Sequence, residues 1–233
     1  MKIKTQKTIG ILGGMGPQAT SYLYNLIIKK AIKKYGVINN DDFPDIVIFS
    51  VAVPDFISSK NNQKKAFELL KQKVLDANKI GISCLSIACN TAHLLLPELE
   101  KHASIPFVSM IKEVAIYAKK LKLKKVGLLG TPTTLKSNLY QGVLAKYGIK
   151  TILPKKSKFK VIGSVIRNVI AGIHSKKDRK NLLIIAQELK EKGAQAIILG
   201  CTELPLVFPK KIPLKVLNSL DILAEALLKY YYL

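Results

Sequence analysis

Two cysteines stand where a thiol can do chemistry. Cys89 follows the apolar run Ser83 to Ala88 and precedes Asn90 and Thr91; Cys201 follows Ile197 to Gly200 and precedes Thr202 and Glu203. A thiol with an ordinary pKa of about 8.5 serves near neutral pH as a nucleophile or as either partner in proton transfer. Where a strand gives way to a helix, unpaired backbone N–H groups attract an anion and favour the thiolate. Asn90 and Thr91 can cap the following helix or hydrogen-bond a ligand carboxylate. Cys84, in mid-run, reads as a small buried hydrophobe. Burial would also account for one such cysteine alone, but two at matching places in a repeat argue for chemistry.

The repeat is loose but ordered. TIGILGGMGPQAT at 8–20 is followed by CLSIACNTAH at 84–93, and KVGLLGTPTT at 125–134 by AIILGCTELP at 196–205. Each half has a strand ending in glycine, a turn and helix, and later a strand ending at a cysteine with a threonine beside it. Apolar runs predict strands at 8–13, 45–51, 83–88, 105–109, 125–130, 149–153, 195–200 and 214–217. Helical periodicity predicts helices that include 17–35, 62–79, 111–121, 133–147, 176–192 and 219–231. This alternation implies α/β architecture: two pseudo-symmetric three-layer α/β/α domains with mainly parallel sheets, whose strands are buried on both faces. Ligands of such sheets bind beyond the carboxyl ends of the strands, where both cysteines fall. Facing domains would bring the two thiols to one interdomain cleft.

Two competing signals lie beside these motifs. Gly14-Met15-Gly16-Pro17-Gln18-Ala19 has the spacing of a dinucleotide fingerprint after a strand, but the second strand ends Phe49-Ser50-Val51 without the acid that holds a ribose. The glycines are instead expected to let backbone approach a small anionic ligand. His93, four residues beyond Cys89, invites a Cys–His nucleophile, but no third orienting group is evident. His102 and His174 read as surface residues.

Composition narrows the class. Three cysteines without a CxxC pair or metal-ligand spacing argue for reduced thiols rather than a disulfide framework or a zinc site. The basic start Met1 to Lys7 leads into glycines and Pro17 without a cleavage-like segment, so the chain is expected in the cytoplasm. No apolar run approaches the ~20 residues of a membrane span. A net charge of +23 suits nucleic-acid binding, yet the only arginines among 38 basic residues are Arg167 and Arg179. Arginine is the side chain suited to bidentate phosphate and guanine contacts. The lysines, densest at Lys119 to Lys125 and Lys155 to Lys160, read as solvated surface, and nucleic acid is not expected as a partner.

Together GGMGPQAT at 13–20, ACNTAH at 88–93, LLGTPTT at 128–134 and LGCTELP at 199–205 resemble the aspartate/glutamate racemase family, in its aspartate racemase branch. The glutamate branch carries an Asp-Ser pair where this chain has Met15-Gly16. The resemblance spans the whole chain and implies an N-terminal domain of 1–104 plus 215–233 carrying Cys89 and a C-terminal domain of 105–214 carrying Cys201. It also implies a homodimer that acts on a small amino acid and needs neither pyridoxal phosphate nor metal.

The implied chemistry uses both thiols. One removes the Cα proton from one face while the other delivers a proton to the opposite face, and they exchange roles in reverse. By the same resemblance Asn90, Thr91 and Thr202 contact the substrate's α-carboxylate or amine, Met15 and Gly16 line the cleft, and Thr131 and Thr134 help close it; capping and turn formation are the alternative for each. Well-known aspartate racemases carry Pro-Asp-Arg after the second strand, where this chain reads Val53-Pro54-Asp55-Phe56. A subgroup with Asp-Phe has a Gln seven residues on, which Gln63 matches. Lys160, or Lys158 if the register slips, fits the family's substrate-binding lysine. The distal group is then held by Lys160 and Gln63, or is not a carboxylate. Alternatives are a cysteine-dependent isomerase or decarboxylase of the same fold, a thiol hydrolase, or a lysine-rich nucleic-acid-binding protein.

Overall fold

Short runs that are apolar on both faces become strands, and the glycines that end them turn the chain into helices. A computed structural model describes residues 7–54, 61–209 and 212–233. The chain opens with β1 (Thr8–Gly13), α1 (Pro17–Tyr35) and β2 (Asp45–Ser50), and then forms α2 (Asn61–Lys79) and β3 (Cys84–Ile87). A 3-10 turn at Thr91–Leu94, α3 (Leu96–Glu100) and α4 (Met110–Lys120) follow. Next come β4 (Lys125–Gly130), α5 (Pro132–Lys136), α6 (Leu139–Lys146), β5 (Lys150–Ile152) and α7 (Lys158–Ile170). The chain continues through α8 (Lys176–Glu191), β6 (Ala196–Gly200), α9 (Leu204–Val207), β7 (Lys215–Asn218) and α10 (Ser219–Tyr232).

Two compact units result, Met1–Met110 with Leu220–Leu233, and Ile111–Ser219. Among the described residues the first unit holds a sheet of order β2-β1-β3 and the second one of order β5-β4-β6-β7. Every strand pair in them is parallel, which is the α/β class expected from the sequence. Past their first residues β1 and β4 are buried, as is all of β6: Ile9, Ile11, Leu12, Leu128, Leu129 and Ile198 have no exposed surface.

In the first unit α1 and α10 cover the sheet together. Ala19, Leu23, Ile27 and Ala31 recur every four residues on α1 and pack with Leu220, Leu223, Ala224, Leu227 and Leu228 of α10. Full burial of each leucine is worth about 1.5–3 kcal/mol. Pro17 starts α1, where a missing N–H costs nothing, and Gly36 ends it in the left-handed region at φ 67°. Lys30 and Lys34 pair with Asp221 and Glu225 across the helices at 3.0 and 2.6 Å.

Local structure departs from the sequence expectation over 105–109 and over 133–147. The strand expected over 105–109 is reduced to one parallel bridge between Leu85 and Phe107. Pro106 has no N–H for a ladder, and the Ser86 hydroxyl donates to the Val108 carbonyl at 2.8 Å. The helix expected over 133–147 is two helices, broken at Asn138, whose φ of 58° is a left-handed conformation that asparagine tolerates.

Candidate active site

The turn after β1 is built around its own glycines. A side chain on Gly13 would collide with the Thr20 methyl, and one on Gly14 with the Val51 backbone N; Gly14 also has φ +86°. The Gly14 N–H donates to Thr20 Oγ1 at 3.0 Å, and that hydroxyl donates to the Gly16 carbonyl at 3.1 Å. The glycines were expected to admit a ligand; at Gly13 and Gly14 it is Thr20 and the Val51 backbone that occupy the space. Gly16 is the N-cap of α1. Met15 and Cys89 are both partly buried against the apolar cluster of Leu12, Val51, Ile87 and Ala92. Gln63 is half-buried in the first turn of α2. Asp55 and Phe56 lie outside the described residues.

After β3 the chain tightens at once. Asn90 and Thr91 are 1% and 2% exposed. The segment after Cys89 is the four-residue 3-10 turn rather than the expected helix, and the Asn90 side chain does not cap it. A single tight turn aligns few peptide dipoles, so the anion-attracting helix end expected here is much reduced.

His93 explains the tightness. Its Nδ1 donates to the Cys89 carbonyl at 2.8 Å, while Nε2 accepts the Met110 N–H at 3.1 Å. An N–H donor at Nε2 fixes the tautomer: the ring proton is on Nδ1. His93 is 3% exposed, and burial pulls its pKa down to about 4, partly opposed by the bond to Cys89. Neither ring nitrogen is left to take a thiol proton, which removes the Cys–His nucleophile. His93 ties the Cys89 turn to the start of α4.

The second unit places Cys201 by the same rule. It follows β6 directly and is 5% exposed. Its Sγ donates to Glu203 Oε2 at 2.9 Å, and the Thr202 hydroxyl donates to the same oxygen at 3.0 Å. Glu203 is 4% exposed, and its side chain turns to these donors rather than capping α9. The residue was visible in the motif, but its contact with sulfur was not foreseen; an acid two places beyond a strand-end cysteine was the signal. From α6 the Tyr140 ring lies 3.1 Å from the position a side chain on Gly200 would take. Burial pushes the Tyr140 phenol's pKa well up, a hydrogen bond with Ser219 opposes that, and nearby Cys201 adds to it.

Thr131 caps α5, accepting the Thr134 N–H at 3.0 Å and donating to Thr134 Oγ1 at 3.0 Å. The turn-building alternative for these two threonines is therefore what their side chains display. Lys160 is exposed on α7, whereas Lys158 pairs with Glu188 at 3.3 Å. Among the described residues no group of three His, Cys, Asp or Glu side chains could hold a metal, and no helix is long and apolar enough to cross a membrane. All three cysteines are described, and none is in a disulfide.

Strand register makes the two thiols equivalent. Ile9, Gly10, Ile11 and Leu12 pair with Cys84, Leu85, Ser86 and Ile87. Val126, Gly127, Leu128, Leu129 and Gly130 pair with Ala196, Ile197, Ile198, Leu199 and Gly200. Laying Ile9 on Val126 lays Cys84 on Ala196, Ala88 on Gly200 and Cys89 on Cys201. The next residues then correspond as Asn90 with Thr202 and Thr91 with Glu203.

Known proteins share this chain's pattern. The sequence profile described as Asp/Glu/hydantoin racemase matches residues 12–227. The chain is 28% identical over 229 residues to the broad specificity amino-acid racemase RacX of Bacillus subtilis, covering 96% of this chain and 97% of that one. The solved aspartate racemase of Picrophilus torridus superposes with a TM-score of 0.82 at 27% identity, covering 97% of this chain and 94% of that one. An aspartate racemase homologue from Pyrococcus horikoshii gives 0.81 at 26% identity, covering 97% and 99%.

Proposed function

The chain belongs to the Asp/Glu/hydantoin racemase family and is an amino-acid racemase, and from that premise we propose that it inverts Cα by two-base proton transfer between Cys89 and Cys201. The observation that carries this reading is the register equivalence of the two thiols. An inversion at one carbon has two mirror-related faces, and a repeated sheet that ends each time in a thiol supplies one acid–base group per face. One thiolate takes the Cα proton while the opposite thiol supplies its own, so one S–H bond forms as the other breaks. No cofactor is needed for proton transfer between sulfur and carbon.

Around the thiols, Asn90, Thr91 and Thr202 bind the α-carboxylate and amine, and Met15 and Gly16 shape the pocket wall. Buried polar side chains beside a strand end suit that task, since a desolvated site strengthens hydrogen bonds to a developing carbanion. Thr131 and Thr134 hold the turn after β4. Gln63 and Lys160 hold the distal end of the substrate. With Phe56 in place of an arginine, the substrates are aspartate, glutamate and related amino acids rather than aspartate alone; the broad specificity of the Bacillus subtilis relative supports this breadth. The enzyme works as a homodimer in the cytoplasm, where a reducing milieu keeps both thiols competent.

The test is a panel of D- and L-amino acids in deuterated water. At least one acidic or related amino acid should acquire deuterium at Cα with loss of optical purity, and Cys89→Ser and Cys201→Ser should each lower this by about a thousandfold. A panel in which no amino acid exchanges would refute the assignment.

A further inference from the structure

A buried carboxylate beside a thiol needs an explanation beyond stability. Taking a carboxylate out of water is costly unless strong donors surround it. Glu203 is 4% exposed, and two of its donors are a thiol and a hydroxyl meeting one oxygen, Oε2, at 2.9 and 3.0 Å. Toward both donors Oε2 is the acceptor. Capping would have been the ordinary reason for an acid at this position, and the side chain does not cap α9. At the register-equivalent place beside Cys89 stands Thr91, which has no charge.

We propose that Glu203 is a positioning residue that keeps Cys201 as the protonated thiol in the resting enzyme, leaving Cys89 as the thiol that ionises. The proposal rests on the two-thiol reading above and assigns its starting roles: Cys89 is the resting base and Cys201 the resting acid. A thiolate at Cys201 would place two negative charges within hydrogen-bond distance, which disfavours ionisation there. Tyr140, the titratable group facing Cys201 from α6, is kept protonated by burial and so adds no charge of either sign beside the thiol. When Cys201 gives its proton to the carbanion, the resulting thiolate stands beside Glu203 and is a strong base. The reverse reaction then begins from that thiolate, which draws the Cα proton of the other enantiomer and restores the S–H bond to Glu203.

The test titrates the thiols directly. Cysteine labelled at Cβ is incorporated, and its three NMR signals are assigned with Cys89→Ser and Cys201→Ser. Cys84 is an internal marker of folding, because burial lifts its thiol to about 12; a signal that stays still through neutral pH reports an intact core. Cys201 should titrate above Cys89 in the natural chain. Glu203→Gln should lower the Cys201 midpoint by about one unit, a tenfold gain in thiolate at neutral pH, with Cys89 unmoved. Glu203→Asp, which keeps the charge, should retain most of the elevation. If the Gln chain unfolds, Glu203→Thr, which installs the residue type of the equivalent place, is titrated instead. A Cys201 midpoint below that of Cys89, or one unmoved when the carboxylate is removed, overturns the proposal. Absence of exchange with every amino acid would sink the racemase reading while the titration still decides the role of Glu203.

Discussion

The sheets of β1 with β3 and of β4 with β6 are one arrangement built twice, yet the two thiols at their ends are held in different ways. In the first unit the Cys89 turn is held through its backbone, by an imidazole that bridges the Cys89 carbonyl and the Met110 N–H. In the second the sulfur itself is held, by the Glu203 carboxylate. The same contrast recurs one strand away. Gly14 and Thr131 come after register-equivalent glycines; the first needs a positive φ and an absent side chain, the second uses its hydroxyl to cap a helix. Strand pairing thus decides where a thiol stands, and the few residues after it decide what its proton does.

That contrast can be attacked from several sides. Replacing either thiol by serine should lower Cα exchange by about a thousandfold, and by similar factors, because each carries one of the two proton transfers. A clear inequality between Cys89→Ser and Cys201→Ser in deuterium uptake would show that the halves are not functionally paired. His93→Ala should cost about 2–4 kcal/mol in a denaturant melt, since it strands a buried carbonyl and a buried N–H. An unchanged melt would mean that the first turn is held by something else.

His93 also imposes a pH signature on the first unit. Its pKa is about 4 when folded, against an ordinary value of 6.5, so below pH 6.5 the unfolded chain takes up a proton that the folded chain refuses. This share of stability is full above pH 6.5, declines as pH falls toward 4, and totals about 3 kcal/mol. In His93→Gln that part of the slope should vanish from stability measured across the window. The smallest effects separate the turns after β1 and β4: Gly14→Ala should cost about 2 kcal/mol through strain and collision, and Thr131→Ala about 1 kcal/mol through loss of a cap. Equal thermal shifts would erase the distinction.

The parts of the fold readable in the sequence were those set by local pattern. β1, β4 and α1 fall where continuous apolar runs, terminal glycines and Pro17 put them. The two thiols at matching strand ends were likewise visible, because a repeat displays itself as spacing. Contacts made across the chain were not. Nothing near His93 announces that its Nε2 will meet Met110, and the short turn after Cys89 follows from that tie more than from helix propensity. The Cys201–Glu203 bond spans only two residues, but its existence depends on a turn folding the carboxylate back onto sulfur. Pro106 and Asn138 did signal their interruptions through a missing N–H and a tolerance for positive φ, signals that hydrophobic periodicity alone overrides.

Synthesis runs in one direction, and the return of α10 gives that direction a consequence. The unit begun first needs Leu220–Leu233 to be complete, so its core stays open until α10 has been made. The unit containing Cys201 has all its residues in hand earlier. A nascent chain therefore finishes its second thiol's scaffold before its first, and a short C-terminal truncation or a bulky tag should injure the older half of the protein while sparing the younger.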